Sequence, residues 1–274
     1  MALTLMYITN NPKVAEIAQM AGVDRIWVDM EYKGKEERQA GMNTVKSHHT
    51  IEDVRAIRSV VNKSALMVRV NPIDEESEEE INAVIEAGAE YVMLPMFKTR
   101  EEVEKFINFV GGRAKTILLV ETAEAAENIL SYIDLPGIDE VHIGLNDLHL
   151  AYKKKFMFEL LTDGTVERLC AIFKGKGITY GFGGIARVGY GMLPAEKIIT
   201  EHYRLGSTRA ILSRGFCDAN RVENPEEIRG EFIEGVKNIR LKEQEIEGYS
   251  EESFAENRKD VEKNIKGIVR KIIK

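Results

Sequence analysis

The sequence predicts a (β/α)8 TIM barrel, a closed barrel of eight parallel strands surrounded by helices. Short apolar runs alternate with helix-like segments eight times along the chain. The central stretch Thr116–Leu148 is the clearest example, because it is built as strand, helix, strand, which describes a right-handed crossover between parallel strands. A length of 274 residues also suits a single α/β barrel. A doubly wound open sheet is the alternative, but no G-x-G-x-x-G motif follows the first strand.

The first half of the chain has clear signals for helix ends. Thr50 begins the sequence T-I-E-D, a capping box, and Gly22 and Gly88 follow segments with helical character. The polar stretch Lys33–His49 is too long for a simple connection, so we interpret it as an active-site loop. The predicted elements here are strands Leu3–Thr9, Arg25–Met30, Ala65–Val70 and Tyr91–Met96, and helices Pro12–Ala21, Ile51–Val61, Asp74–Ala87 and one starting at Thr99.

The second half continues the alternation and adds a helical tail. Residues 1–248 are predicted to form the catalytic barrel, and residues 249–274 an amphipathic helical extension. Apolar stripes in the last two helices favour a homo-oligomer. The predicted elements are strands Ile117–Val120, Val141–Leu145, Ile178–Phe182 and Ser207–Ser213, a helix between strands five and six, a helical region running to about Lys176, and helices Pro194–Leu205, Asn224–Gly248 and Glu251–Lys274.

Composition narrows the class of protein. The net charge of −7 argues against nucleic acid or an anionic membrane as a partner, since both require a basic surface. The apolar runs are too short to span a bilayer, and Met1–Asn10 lacks the regions of a signal peptide. The two cysteines, Cys170 and Cys217, form neither a disulfide framework nor a zinc-site spacing. The cysteine usage therefore predicts a cytoplasmic protein.

Two carboxylates stand directly after neighbouring strands. Glu121 follows the apolar run of strand five, and Asp147 follows that of strand six. Because both leave the same edge of the barrel, they are expected to bind one divalent cation through oxygen ligands. The other interpretation is that each caps the following helix, but a carboxylate after four apolar residues would be costly without a cation. Two acidic oxygens favour Mg²⁺ or Mn²⁺ over zinc.

Other polar residues near this edge are candidates for chemistry. Arg69, in the third strand, can bind a carboxylate or enolate oxygen, or form a structural salt bridge with a strand-end acid. His48 and His49 lie in the long loop and could act as a general base, or could simply be solvated. His142, inside strand six, is interpreted as a core residue with its hydrogen bonds satisfied. The glycine-rich run Gly181–Gly191 suggests either an anion pocket or a tight turn.

Taken together, these motifs resemble those of the HpcH/HpaI aldolase/citrate lyase family, a branch of the phosphoenolpyruvate/pyruvate-binding barrels. The resemblance covers roughly residues 18–216. The segments that carry it are I-W-V-D-M-E (Ile26–Glu31), L-M-V-R-V-N-P (Leu66–Pro72), A-G-A-E-Y-V-M-L-P-M (Ala87–Met96), V-E-T (Val120–Thr122) and V-H-I-G-L-N-D-L (Val141–Leu148).

The resemblance implies a site and an assembly. It implies a divalent metal on Glu121 and Asp147, chelated by an α-keto acid or its enolate, with Arg69 stabilising the enolate oxygen. It also implies oligomers, in which the last barrel helix, here Asn224–Gly248, is often exchanged between subunits. The motif residues expected to line the substrate site are Glu31, Pro95, Gly144, Leu145 and Asn146.

One position departs from the pattern of aldolases in this family. Those proteins carry a histidine base in a D-x-E-H motif, and Tyr32 stands in that position here. Either His48, His49 or Tyr32 moves the proton, or the aldol activity is altered. The resulting hypothesis is a metal-dependent carbon–carbon lyase acting on a 4-hydroxy-2-oxo acid. The alternatives are a lyase for coenzyme A thioesters and a catalytically silent keto-acid binder.

Overall fold

The structure, a computed structural model, describes residues 2–34 and 49–273. Within them, eight strands form a closed barrel in which each strand pairs in parallel with the next and the eighth pairs with the first. The predicted (β/α)8 barrel is therefore confirmed. The strands are β1 (Thr4–Ile8), β2 (Arg25–Asp29), β3 (Ala65–Arg69), β4 (Tyr91–Leu94), β5 (Lys115–Val120), β6 (Glu140–Ile143), β7 (Thr179–Ile185) and β8 (Arg209–Leu212).

Helices surround this barrel, and an additional long helix follows the last of them. The capping boxes at Thr50 and Thr99 are both formed, with the threonine hydroxyl accepting a hydrogen bond from the backbone three residues later. The helices are α1 (Pro12–Met20), α2 (Ile51–Val60), α3 (Ser77–Glu86), α4 (Arg100–Val110), α5 (Ala123–Glu127), α6 (Ile129–Tyr132), α7 (Leu145–Ala151), α8 (Glu159–Thr162), α9 (Thr165–Gly175), α10 (Ala195–Leu205), α11 (Arg229–Ile246) and α12 (Glu251–Ile273).

All eight strands differ from the sequence prediction by one to three residues at an end, and two of these differences lie near the cavity described below. β7 continues to Ile185, through the first glycines of the glycine-rich run, and it approaches β8 closely there. A Cβ on Gly181 would lie 2.3 Å from the carbonyl oxygen of Arg209, so a side chain does not fit. β4 ends at Leu94, before Pro95, and Met96 then takes a positive φ of 55°.

The apolar core has two parts. The larger one lies between the barrel and its helices and contains most of the buried aliphatic and aromatic residues. The smaller one fills the barrel itself and is made of inward-facing side chains from successive strands, as expected for this fold. Its buried members are Met6, Trp27, Met67, Met93, Ile117 and Leu119.

The N-terminal end of the barrel is closed by a charged layer. Both nitrogens at the tip of Arg25 donate to the carboxylate of Glu140 at 2.7 Å, and Arg209 donates to the same carboxylate from the neighbouring side. The guanidinium of Arg25 also lies 3.8 Å from the ring centroid of Tyr91. These four side chains come from β2, β4, β6 and β8, so they form one layer across the barrel.

The last two helices pack on the chain that carries them. Phe232 of α11 contacts Tyr7 and Phe216 edge to face, with ring centroids 4.8 and 5.6 Å apart. Val261 and Ile265 of α12 are buried, and α12 lies against α10. The middle of the apolar stripe of the tail therefore packs on helices around the barrel, whereas Ile272 and Ile273 at its end are exposed. Helix exchange between subunits, and the division at residue 248, stay predictions. Among the described residues, no helix is long and apolar enough to span a membrane.

Candidate active site

A cavity of about 460 Å³ opens at the C-terminal ends of the strands. It is large enough for a small organic ligand. Its walls include most of the residues that the sequence assigned to the site, namely His49, Arg69, Glu121, Gly144, Leu145, Asn146 and Asp147, together with Asp29. Of the remaining predictions, Glu31 is buried beside Arg69, Pro95 and Tyr32 do not line the cavity, and His48 lies outside the described residues.

Glu121 is the buried carboxylate of this cavity. It follows β5, is only 3% exposed, and its Oε1 accepts a hydrogen bond of 3.1 Å from the backbone N–H of Met96. Burial raises the pKa of Glu121 well above its ordinary value, against the opposing charge of Arg69. The negative charges of Asp147 and Glu31 raise the pKa of Glu121 further. The site therefore favours a cation close to Glu121, because a cation would offset both the cost of burying the carboxylate and its repulsion from the neighbouring acids.

The position of Met96 was not foreseen from the sequence. A positive φ is uncommon for a residue other than glycine and costs free energy. Here it directs the Met96 N–H to Glu121. A backbone donor leaves no signature in a sequence, although Pro95 in front of it marks the end of the strand.

Gly144 makes space for the acid. It follows β6 and directly precedes α7, whose first turn contains Asp147. A Cβ at Gly144 would lie 2.7 Å from the Cβ of Glu121 and 2.9 Å from its Oε2. Because such distances are too short for carbon and oxygen atoms, only glycine allows the Glu121 side chain to lie where it does.

Arg69 is held by two acids, Asp29 at the end of β2 and Glu31 just after it. Its Nε and Nη2 donate to the two oxygens of Asp29 at 2.8 and 2.9 Å, and Nη2 lies 3.2 Å from Glu31. Burial disfavours the charge of Arg69, but the surrounding carboxylates outweigh this effect and raise its pKa. The salt bridge considered from the sequence is thus formed, and the guanidinium also lines the cavity. Its orientation is fixed before any ligand binds.

His49 is tied to the same strand end. Its Nδ1 accepts a hydrogen bond of 2.9 Å from the backbone N–H of Asp29. Since that nitrogen accepts, the neutral ring carries its proton on Nε2. Tyr32 is different, because its side chain is 53% exposed while its backbone N–H donates to Asn71. His49 is therefore the described candidate for proton chemistry that reaches the cavity.

Two further polar residues, His149 and Arg187, do not line the cavity, and His142 differs in part from its prediction. His149 bonds through Nδ1 to backbone carbonyls of its own helix and does not line the cavity. Arg187 pairs with Glu231 at 3.5 Å and covers the ring of Tyr190, so the glycine-rich run does not bring it to the cavity. His142 is inside the barrel, as predicted, but its Nδ1 has no hydrogen-bond partner among the described residues.

The donor set fits a hard divalent cation. Among the described residues, no group of three or more His, Cys, Asp or Glu side chains converges as a metal cluster. Glu121 and Asp147 supply two carboxylates on one cavity, which suits Mg²⁺ or Mn²⁺, since these ions commonly keep waters and bind substrate oxygens. A zinc site built on histidine or cysteine is not formed by these residues.

The far wall of the cavity was not predicted. It is built from residues that follow β1 and β8, at the same edge of the barrel as the acids. The signal was present as polar residues at two further strand ends, T-N-N and S-R. The residues concerned are Thr9, Asn10, Asn11, Ser213, Arg214 and Asp218.

Comparisons with known proteins agree with this architecture. The family model for HpcH/HpaI aldolase/citrate lyase matches residues 3–159. No curated protein matches the chain by sequence. Similar solved structures include an HpcH/HpaI aldolase from Desulfitobacterium hafniense DCB-2, with 16% identity and a TM-score of 0.61, covering 87% of this chain and 93% of that one.

Two further solved structures share the fold. An HpcH/HpaI aldolase/citrate lyase family protein from Burkholderia cenocepacia J2315 has 15% identity and a TM-score of 0.62, covering 83% of this chain and 95% of that one. The citrate synthase SbnG has 15% identity and a TM-score of 0.60, covering 78% and 88%. At these identities the structural likeness concerns the fold alone.

Proposed function

The chain belongs to the HpcH/HpaI aldolase/citrate lyase family, and on that premise we propose that it is a divalent-metal-dependent carbon–carbon lyase. Its substrate is a 4-hydroxy-2-oxo acid or a related acid, which it cleaves through the enolate of pyruvate. The observation that carries this proposal is the convergence of Glu121, Asp147 and Arg69 on one cavity.

The two acids are the proposed ligands of Mg²⁺ or Mn²⁺. When bound, such a cation supplies Lewis-acid chemistry, which stabilises negative charge on the 2-oxo group as the carbon–carbon bond breaks. Glu121 contributes a carboxylate whose position is fixed by the Met96 N–H and by the space above Gly144. Asp147, in the first turn of α7, contributes the second carboxylate from the neighbouring strand end.

Arg69 is proposed to bind the carboxylate or enolate oxygen of the substrate. Asp29 holds two of its donor atoms, so the guanidinium loses little conformational freedom when a ligand arrives. Glu31, at the other side of Arg69, is proposed to keep the group aligned rather than to react. Leu145 and Asn146, which line the cavity beside Asp147, complete the proposed substrate contacts.

His49 is the proposed group for proton transfer. With Nδ1 accepting from Asp29, the ring presents an Nε2–H that can donate to a substrate oxygen. The proton of the substrate hydroxyl then passes through a water to solvent as the carbon–carbon bond breaks, and a proton returns from solvent to the methylene carbon of the enolate to give pyruvate. His48 and Tyr32 stay alternative candidates. Replacing each of the three residues in turn by phenylalanine and measuring pyruvate release shows which of them is needed for proton transfer.

The test is pyruvate release from a panel of 4-hydroxy-2-oxo acids, measured with EDTA and after Mg²⁺ or Mn²⁺ is restored. We expect release that stops with EDTA and returns with metal. Glu121→Gln should abolish both metal binding and release. Glu124→Gln is the matched control, because Glu124 is exposed and pairs with Lys98 at the surface. A Glu121→Gln protein with full metal affinity and rate would exclude the scheme.

A silent keto-acid binder is the second candidate function, and Tyr32 is the observation that favours it. The usual position of the histidine base is occupied by a side chain that points away from the cavity lining. Binding of pyruvate and metal without turnover of any substrate in the panel would favour the binder. Turnover that requires a coenzyme A thioester would instead identify the thioester lyase.

We also propose that the protein is a cytoplasmic homo-oligomer. Light scattering tests the oligomeric state, because it measures the molar mass of the assembly in solution.

A further inference from the structure

Two buried nitrogens on the floor of the cavity have no hydrogen-bond partner among the described residues. They are Nε1 of Trp27 and Nδ1 of His142. Both side chains line the cavity, and they are 2% and 1% exposed. A buried polar atom that lacks a hydrogen-bond partner costs about 1–3 kcal/mol of folding free energy. Two such nitrogens lining the same cavity therefore require an explanation.

The two side chains face each other across the barrel. Arg25 and Glu140 come from β2 and β6, and they meet across the barrel axis at 2.7 Å. Trp27 and His142 are each two residues further along the same strands, so they form the next layer of their strands toward the cavity. The guanidinium of Arg69 lies above this layer, 5.0 Å from the centroid of the Trp27 ring.

Their hydrogen-bonding capacities are complementary. The Nε2 of His142 lies 3.1 Å from the carbonyl oxygen of Gly183, and a carbonyl only accepts, so Nε2 carries the proton. Its Nδ1 is then an acceptor. Burial also lowers the pKa of His142 to about 4, which keeps the ring neutral. The indole Nε1 of Trp27 can only donate. A donor and an acceptor therefore stand in one layer.

We propose that Trp27 and His142 form a binding site for one hydroxyl oxygen. That oxygen accepts a hydrogen bond from Trp27 Nε1 and donates one to His142 Nδ1. A hydroxyl group of the substrate and an ordered water have the same chemistry, and the experiment distinguishes them. If the oxygen belongs to a substrate hydroxyl, the inference rests on the proposed function and extends it, because it places a hydroxylated acid on the floor of the same cavity. If the oxygen belongs to an ordered water, the inference is independent of that function.

The first experiment is crystallographic. High-resolution structures of the Mn²⁺-loaded protein should be solved alone, with pyruvate, and with hydroxypyruvate, which adds one hydroxyl to pyruvate. An oxygen within hydrogen-bond distance of both nitrogens in all three structures supports the site and identifies water. An oxygen of hydroxypyruvate at that position supports the substrate. Absence of any oxygen between the two nitrogens in all three structures overturns the proposal.

Binding measurements give an independent test. If the ligand hydroxyl is bound, hydroxypyruvate should bind about fivefold to tenfold more tightly than pyruvate, the usual size of one hydrogen bond. His142→Phe and Trp27→Phe should each remove that preference, so that the two ligands bind each variant with equal affinity. Met93→Leu, in the same layer, is the control without a polar atom. A preference that survives both variants excludes the substrate case.

The two proposals can fail separately. If the unmodified protein binds neither pyruvate nor Mn²⁺, the proposed function is refuted, and a metal-free crystal still shows whether an oxygen lies between the two nitrogens. If His142→Phe does not fold, ¹⁵N spectra of labelled unmodified protein report the same site. They should show a protonated Nε2 and an Nδ1 that accepts a hydrogen bond. An Nδ1 resonance typical of a non-bonded nitrogen would contradict the proposal.

Discussion

Replacing Gly144 by alanine should displace Glu121 and thereby weaken metal binding. The added Cβ would stand 2.7 Å from the Cβ of Glu121, 2.9 Å from its Oε2 and 3.3 Å from Leu119 Cδ1. Ordinary carbon contacts are about 3.5–4.0 Å, so the carboxylate must move by about 1 Å. The backbone at Gly144 has a negative φ of −80°, which alanine adopts freely. The effect is therefore purely steric.

The size of the effect follows from this displacement. Overpacking a buried site costs about 1–3 kcal/mol. For a protein of this size each kcal/mol lowers the melting temperature by about 2–4 °C. A misplacement of about 1 Å in a catalytic group can reduce the rate about 10²-fold. We therefore expect a modest loss of stability and a much larger loss of Mn²⁺-dependent activity.

The assay combines thermal unfolding, Mn²⁺ titration and pyruvate release. Gly267→Ala is the matched control, because Gly267 lies inside α12 and its added Cβ would meet nothing within 4 Å. Alanine should be neutral or slightly stabilising there, since it favours a helix over glycine. A Gly144→Ala protein with unchanged melting temperature and unchanged Mn²⁺ affinity would refute the steric argument.

Three further substitutions test the electrostatics and anchoring of the site. Arg69→Met should destabilise the protein by about 3–5 kcal/mol in chemical denaturation, because it leaves Asp29 and Glu31 buried without their cation; an unchanged midpoint would contradict this. Glu121→Gln should stabilise the metal-free protein at pH 7, because a raised folded-state pKa means that stability is lost as pH rises above the ordinary carboxyl range. Thermal scans should show that the difference in melting temperature between Glu121→Gln and the unmodified protein vanishes below about pH 4. A difference that stays constant with pH would refute the link between stability and the protonation of Glu121. Asn71→Ala should cost about 1–3 kcal/mol in urea unfolding, because the Asn71 side chain accepts from two backbone N–H groups after β2 and donates to Glu80. A cost near zero would mean that water replaces these bonds.

The sequence predicted the barrel and its two acids for a physical reason. Parallel strands buried on both faces have continuous apolar runs, and a carboxylate at the end of such a run is visible in one dimension. The order of residues alone therefore places Glu121 and Asp147 on one edge of the barrel, where both line the cavity. The same reasoning left the role of Arg69 open, since strand alternation gives the direction of a side chain but not its partner.

The features that the sequence did not reveal depend on three-dimensional contacts. The Met96 N–H is a backbone group, and its direction depends on a φ angle. The unpaired nitrogens of Trp27 and His142 become meaningful only when β2 and β6 face each other across the barrel. His142 was interpreted as a satisfied core residue, which is wrong for its Nδ1, because counting hydrogen bonds requires knowing every neighbour.

The charged layer of Arg25, Tyr91, Glu140 and Arg209 gives the barrel one closed end. In the described part of the chain, a ligand of the cavity therefore enters and leaves at the C-terminal end of the barrel. Under the proposed function, the fragment nearer the opening would leave first, and the pyruvate bound at Glu121 and Asp147 would leave last. Steady-state kinetics would then show pyruvate as the product that competes with the substrate for the free protein.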